Sequence, residues 1–136
     1  MLKSLELRDV MIHQPVTVSP NITVFEAAQI IMENKITGVI VVDDEKNLVG
    51  ILSELDCLRV TLAGAYNDDE FSTALVRDVM TEKVVVQSPN DDIVDVATSM
   101  LEHRQRRRPV VENGKVVGQV TCRQILRVIT EASIKK

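Results

Sequence analysis

Hydrophobic residues recur with a helical period in two stretches of the chain. Apolar side chains return every three or four positions in residues 24–32 and again in residues 93–101, and this spacing predicts two amphipathic helices. Asn21 or Thr23 can cap the first of them, and Glu26 would complete a capping box with Thr23. Each stretch is therefore predicted as a helix with one apolar face.

Runs of β-branched residues flank each predicted helix. A short extended segment precedes it, and two strands joined by a polar turn follow it. A second helix closes each unit, with Ser53 and Thr121 as good N-cap residues. The predicted strands lie at residues 16–18, 39–42 and 48–52, and again at residues 84–86, 110–111 and 116–120. The pattern predicts an α+β fold, with two tandem β-α-β-β-α units related by pseudo-two-fold symmetry.

The two units are copies of one sequence. Residues 8–11 and 77–80 both read Arg-Asp-Val-Met, and Ser-Pro-Asn occurs at residues 19–21 and 88–90. Two like units that cannot each bury an apolar face bury them against one another, so the working site is expected in the cleft between them. The predicted boundaries are 7–62 for the first repeat, 63–75 for a linker and 76–131 for the second repeat. The small and acidic residues 63–70 are interpreted as a surface linker or as a lid over the cleft.

Composition narrows the classes of function. With 136 residues, of which 45% are hydrophobic, the chain can bury a core, and it has no run of about 18 apolar residues that could span a membrane. The N-terminus lacks a long apolar segment, so a cytoplasmic protein is expected. A net charge of -4 and an aromatic content of 2% disfavour general nucleic-acid binding.

Reactive side chains are few. Cys57 and Cys122 show no pairing pattern and are expected to be reduced thiols. His13 and His103 have no metal-ligand partner at helical spacing, so no metal site is predicted. No set of nucleophile, base and oxyanion-binding groups stands out, and we expect no enzyme activity.

One motif connects the repeats with a known family. Gly50–Asp56 follows the pattern Gly-x-x-Ser/Thr-x-x-Asp, each repeat opens with Asp-Val-Met, and the second repeat contains Arg-Arg-Arg-Pro-Val-Val. In this order, and over roughly residues 7–131, the chain resembles a tandem pair of cystathionine β-synthase (CBS) domains, a Bateman module. No catalytic domain accompanies the pair in this sequence.

The residues of the motif suggest a chemistry of their own. Ser53 at a helix start would place a hydroxyl beside free backbone N–H groups, which suit a phosphate oxygen. Asp56, one turn later, can accept hydrogen bonds from both hydroxyls of a ribose. The alternative is structural, with Ser53 only capping the helix and Asp56 only complementing its dipole.

The resemblance implies a ligand between the repeats, with ribose contacts from one and phosphate contacts from the other. It pairs Asp56 with Arg106 and Arg107, whose planar groups bind phosphate oxygens bidentately. The base would lie against apolar backbone near the residues Thr17, Val18, Val39 and Ile40. A second, weaker site is expected at Thr121, Gln124 and Thr37, because an amide replaces the carboxylate and no arginine precedes the strand of the first repeat. The arginines can also be a solvated basic face, and strand alternation turns Arg108 away from Arg107.

The resulting expectation is a regulatory sensor module for an adenosine nucleotide, AMP, ADP or ATP, with no required cofactor. Apolar surface on the second helices favours a homodimer, which would act on an effector protein of unknown identity. Two alternatives remain open. One is a scaffold for protein interactions with empty clefts, and the other is a nucleic-acid-associated regulator using the cluster Arg104–Arg108.

Overall fold

A computed structural model describes residues 5–66 and 73–134, and gives no side-chain account of residues 65, 66 and 134. The chain divides into two compact units. The central unit is Val16–Val84, and the split unit joins the segment that ends at Pro15 to the chain from Val85 onward. The two sequence repeats therefore do not coincide with the two units.

The central unit contains a three-stranded sheet covered by helices. Its order is β2-β3-β4, with β2 parallel and β4 antiparallel to β3. Apolar side chains from β3 and from one face of α1 form the core, together with Leu52, Cys57 and Val76. The elements are β2 (Thr17–Val18), α1 (Val24–Glu33), β3 (Gly38–Val42), β4 (Leu48–Ser53), α2 (Glu54–Tyr66) and α3 (Val76–Val79).

The split unit repeats this plan with a different first strand. Its sheet has the order β1-β6-β5, and both pairings are antiparallel. The elements are a 3-10 helix (Leu7–Asp9), β1 (Ile12–His13), α4 (Ile93–His103), β5 (Arg107–Glu112), β6 (Lys115–Thr121) and α5 (Cys122–Ile134). The strand predicted at residues 84–86 does not form, since Val85 and Val86 are exposed and only Gln87 bridges to Val110.

Capping explains where the predicted helices begin. The Thr23 hydroxyl accepts a hydrogen bond from the Glu26 N–H at 3.1 Å, and the Thr23 N–H donates to the Glu26 carboxylate at 3.3 Å. Asp92 caps α4 by accepting from the N–H groups of Val94 and Asp95. The capping box predicted for the first helix is confirmed, and Asp92 takes the cap of its counterpart.

The opening segment of each repeat packs in the unit formed by the other repeat. The Arg8 N–H donates to the Pro89 carbonyl and its guanidinium to the Asn90 amide oxygen. Arg77 makes the matching contacts with Pro20 and with Asn21, the latter at 2.7 Å. The two repeated motifs, Arg-Asp-Val-Met and Ser-Pro-Asn, are therefore the two sides of one contact that is made twice.

A glycine receives the methionine that ends each opening segment. A Cβ atom at Gly50 would lie 2.7 Å from the Met80 sulfur, and one at Gly118 would lie 2.6 Å from the Met11 sulfur. No side chain fits at either place without a shift, which gives these glycines a packing role. Helix α2 continues to Tyr66, so residues 63–66 of the predicted linker are helical, while residues 67–72 lie outside the described part. The repeat boundaries proposed from the sequence stay a prediction.

Candidate functional site

The start of α2 holds Ser53 and Asp56 in a reciprocal arrangement. The Asp56 N–H donates to the Ser53 hydroxyl at 3.1 Å, and the Ser53 N–H donates to Oδ2 of Asp56 at 3.0 Å. The other carboxylate oxygen, Oδ1, accepts from Arg59 at 3.2 Å. Asp56 is therefore held in one orientation, with 17% of its side chain exposed.

The backbone donors at this helix start already have acceptors. The N–H groups of Ser53 and Asp56 bind each other's side chains, and the Glu54 N–H donates to the Thr37 carbonyl at 2.9 Å. The expectation of free N–H groups for a phosphate is therefore wrong at these three positions. Asp56 keeps acceptor capacity for a ribose, because each carboxylate oxygen accepts more than one hydrogen bond.

The aspartate also affects its neighbour Cys57. Burial raises the pKa of the Cys57 thiol, and the negative charge of Asp56 raises this pKa further. Cys57 is part of the core of the central unit, whereas Cys122 is exposed. Cys57 is therefore a protonated core residue at neutral pH.

The residues expected to lie near the base divide between the two faces of their sheet. Val18 and Val39 belong to the hydrophobic core, so their side chains are occupied by packing. Thr17 and Ile40 are register partners in the parallel pair, and strand alternation places both on the opposite face. Ile40 is nevertheless only 1% exposed, so a base near this strand pair would contact the exposed Thr17 and backbone atoms.

The second helix start resembles the first but carries an amide. The Gln124 N–H donates to the Thr121 hydroxyl at 3.4 Å, and that hydroxyl donates to the Gln124 side-chain oxygen. The Cys122 N–H donates to the Arg106 carbonyl at 2.9 Å, and Arg107 is the register partner of Thr121. The split unit thus brings Arg106 and Arg107 beside Thr121 and Gln124.

Thr37 occupies the corresponding place in the central unit, where its carbonyl accepts from the Glu54 N–H next to Ser53. Each unit therefore places the start of its second helix, α2 or α5, beside the residue that precedes its own strand, β3 or β5. The predicted pairing of Asp56 with Arg106 and Arg107 joins residues of different units and stays a prediction.

Arg108 is the buried member of the arginine run. Its exposed fraction is 1%, whereas Arg106 is exposed and Arg107 half-buried. Its guanidinium donates to side chains of three residues, which are Gln87, Ser99 and Gln105. Burial lowers the pKa of Arg108, yet a guanidinium stays charged throughout the physiological range.

These three polar partners of Arg108 were not identified from the sequence. Alignment of the repeats carries the signal, because Val18, Ile30 and Ile36 stand at the equivalent positions of the first repeat. An apolar position that becomes polar together with its neighbours indicates a hydrogen-bonded cluster.

Within the described residues, no three His, Cys, Asp or Glu side chains are grouped to hold a metal ion. In the same part of the chain, no helix has the length and apolar character needed to cross a membrane.

Comparison with known proteins identifies the repeats. The profile of the CBS domain matches residues 7–63 and 76–131. A crystal structure of CBSX2 in complex with AMP shares the fold with a TM-score of 0.84 and 28% identity, covering 96% of this chain and 99% of that one. The CBS domain pair of protein MJ0100, in complex with 5'-methylthioadenosine and S-adenosyl-L-methionine, has a TM-score of 0.80 and 27% identity over 94% of this chain and 98% of its own.

Curated relatives are longer than the chain. The chloroplastic CBS domain-containing protein CBSX1 of Arabidopsis thaliana is 32% identical over 81% of this chain and 57% of its own length. Inosine-5'-monophosphate dehydrogenase of Methanocaldococcus jannaschii is 33% identical over 88% of this chain but only 22% of the enzyme. The chain spans less than two thirds of the length of each of these relatives.

Proposed function

Because the chain belongs to the CBS domain family, we propose that it is a regulatory module that binds an adenosine nucleotide, AMP, ADP or ATP. In this proposal Asp56 accepts hydrogen bonds from the ribose hydroxyls, and Arg106 and Arg107 bind the phosphate. Thr17 and the backbone near Ile40 lie along the base. The AMP complex of CBSX2, whose fold is shared, supports an adenosine-containing ligand.

The orientation of Asp56 carries the proposal. Its carboxylate is already fixed by the Ser53 N–H and by Arg59, so little of the binding free energy of a ribose is lost in ordering this side chain. The hydrogen bonds of a charged acceptor are about twice as strong as those of a neutral one. A fixed carboxylate is therefore a good receptor for two adjacent hydroxyls.

Differences between the repeats favour one strong site. Gln124 stands where the first repeat has Asp56, and Thr37 stands where the second has Arg106. A second nucleotide, at Thr121, Gln124 and Thr37, would have neither a charged ribose acceptor nor an arginine for its phosphate. We expect it to bind more weakly than the first.

The module is proposed to act without chemistry of its own and without a required cofactor. Its match to the dehydrogenase covers only 22% of that enzyme. Helices α2 and α5 expose apolar side chains, which supports a homodimer and contact with an effector protein; these are Leu55, Leu58, Leu62, Leu126 and Ile129. A nucleotide would change the output only as far as it binds two arrangements of the module with different affinity.

Calorimetric titration with AMP, ADP and ATP tests the ribose contact. We expect Asp56→Asn to weaken binding at least about tenfold, equivalent to about 1.4 kcal/mol, because a charged acceptor is lost. Glu54→Gln is the matched control, since Glu54 is an exposed acid in the same helical turn. Equal weakening in both variants would point to general electrostatics and not to a ribose contact.

The arginine contact is tested in the same titration. Arg106→Ala combined with Arg107→Ala should weaken ATP more than adenosine, while Arg104→Ala, an exposed cation of the same run, should weaken both little. Absence of heat with all three nucleotides would contradict the proposal and favour the scaffold alternative.

A further inference from the structure

Five aliphatic positions of the first repeat are polar in the second. In the central unit these residues form part of the core or pack against it; they are Val18, Ile22, Ile30, Ile36 and Val39. Sixty-nine positions later the chain has, in the same order, Gln87, Asp91, Ser99, Gln105 and Arg108. We call these five polar residues the Arg108 cluster.

Hydrogen bonds connect the whole cluster. Arg108 donates from Nε to Gln105 at 2.7 Å, and from Nη1 to Gln87 at 2.6 Å and to Ser99 at 2.9 Å. The Gln87 amide in turn donates to the Asp91 carboxylate at 2.6 Å. Among the described residues, the positive charge of Arg108 is therefore linked to a negative charge only through a neutral amide.

Stability does not account for this arrangement. Within residues 5–66 and 73–134, no group accepts a hydrogen bond from the buried Nη2 atom of Arg108. A buried charge that lacks a direct counter-ion costs free energy, and well-packed aliphatic residues usually serve at least as well. The first repeat shows that this fold accepts the aliphatic solution at all five positions.

The cluster instead restrains one particular segment. Gln105 directly precedes Arg106 and Arg107, and its side chain is bound by Arg108. The Gln105 N–H donates to the Met100 carbonyl at the end of α4, at 3.0 Å, and the Arg106 carbonyl accepts from Cys122. The segment 105–107 is thereby tied to α4, to the start of α5 and, through Gln87, to the turn at residues 87–91.

We propose that the Arg108 cluster fixes the segment 105–107 and so holds Arg106 and Arg107 ready for the phosphate of the nucleotide. Arg108 is then a positioning residue that need not touch the ligand. The inference rests on the proposed function, since it assigns these two arginines to a phosphate. It also explains why the polar cluster occurs in the repeat that carries the arginines and not in the repeat with Thr37.

The first repeat supplies the residues for the test. A variant with Gln87→Val, Asp91→Ile, Ser99→Ile, Gln105→Ile and Arg108→Val gives the second repeat the aliphatic set of the first. We expect unfolding by urea at an equal or higher concentration, AMP affinity lower by about tenfold and adenosine affinity unchanged. If the cluster had only a structural role, the variant would change the affinities for AMP and adenosine equally.

A milder pair of variants covers the case in which the five substitutions prevent folding. Gln105→Met removes the acceptor from Arg108 at a half-buried position and should weaken AMP by about threefold without affecting adenosine. Ile36→Met is the matched control at the equivalent position of the first repeat and should affect neither ligand.

Three results would overturn the inference. AMP affinity that is unchanged in a folded cluster variant would show that the cluster does not position the arginines. Equal loss of AMP and adenosine would show a general distortion. Absence of AMP binding to the unchanged protein would contradict the proposed function itself, and the inference with it.

Discussion

Substitution of Gly50 by alanine tests the contact between the opening segment and its unit. The new Cβ would lie 2.7 Å from the Met80 sulfur and 2.9 Å from the Thr81 carbonyl oxygen. Met80 can change its rotamer, but Thr81 is held by two backbone hydrogen bonds with Ile51, of 2.9 and 3.0 Å. An ordinary carbon–oxygen contact would require the Thr81 backbone to move by about half an ångström, which lengthens both bonds.

Overpacking of this kind costs about 1–3 kcal/mol. Alanine offsets about 0.5–1 kcal/mol of this cost, because it lowers the conformational entropy of the unfolded chain. The expected net loss is about 1.5 kcal/mol of the free energy of unfolding, or a fall of about 5 °C in Tm.

Equilibrium unfolding in urea, followed by circular dichroism, measures this loss. Gly118→Ala provides an independent replicate in the other unit, where the Cβ would lie 2.6 Å from the Met11 sulfur and 2.9 Å from the Ile12 carbonyl oxygen. Because the two glycines share no partner, the losses should add in the double variant. A loss below about 0.5 kcal/mol at both glycines would show that the opening segments are not held in the way described.

Two further predictions concern stability. Thr23→Ala should cost about 1 kcal/mol, because the capping box at α1 is lost, and Thr23→Ser should recover most of it in the same urea assay. The raised pKa of buried Cys57 predicts a stability term that is fully present below the ordinary thiol pKa of 9.0 and is lost as pH rises through the higher folded-state pKa, because only the unfolded thiol ionises at first. Urea titrations at pH 7.5, 9 and 10, compared between the protein and Cys57→Ala, should show a steeper decline for the unchanged protein, and parallel declines would refute this.

The sequence predicts much of the fold because local and long-range signals agree. Helical stripes, turn positions and the capping box of Thr23 and Glu26 place α1, and the repeated pattern places α4. The exchange of opening segments was not predicted. The sequence of a segment such as Arg77–Met80 does not show which repeat the segment contacts, because the Ser-Pro-Asn turn that it binds is identical in both repeats.

The candidate site was predictable to a lesser extent. Spacing alone places Asp56 three residues after Ser53, and their mutual hydrogen bonds follow from that spacing. The occupation of the Glu54 N–H by Thr37 depends on how β3 pairs with β4, which is a tertiary property. The inward orientation of Arg108 follows from strand alternation, but its acceptors come from distant parts of the split unit.

The exchange of opening segments has a consequence for synthesis on the ribosome. The central unit is continuous from Val16 to Val84, so its core residues are all available once Val84 has been synthesised. The split unit needs both the residues before Pro15 and those after Val85, so its first segment must wait for the last. Closing that long gap costs entropy and slows folding. Because the ribosome synthesises the chain from its N-terminus, the central unit, which carries Asp56, is complete before the split unit, which carries Arg106 and Arg107.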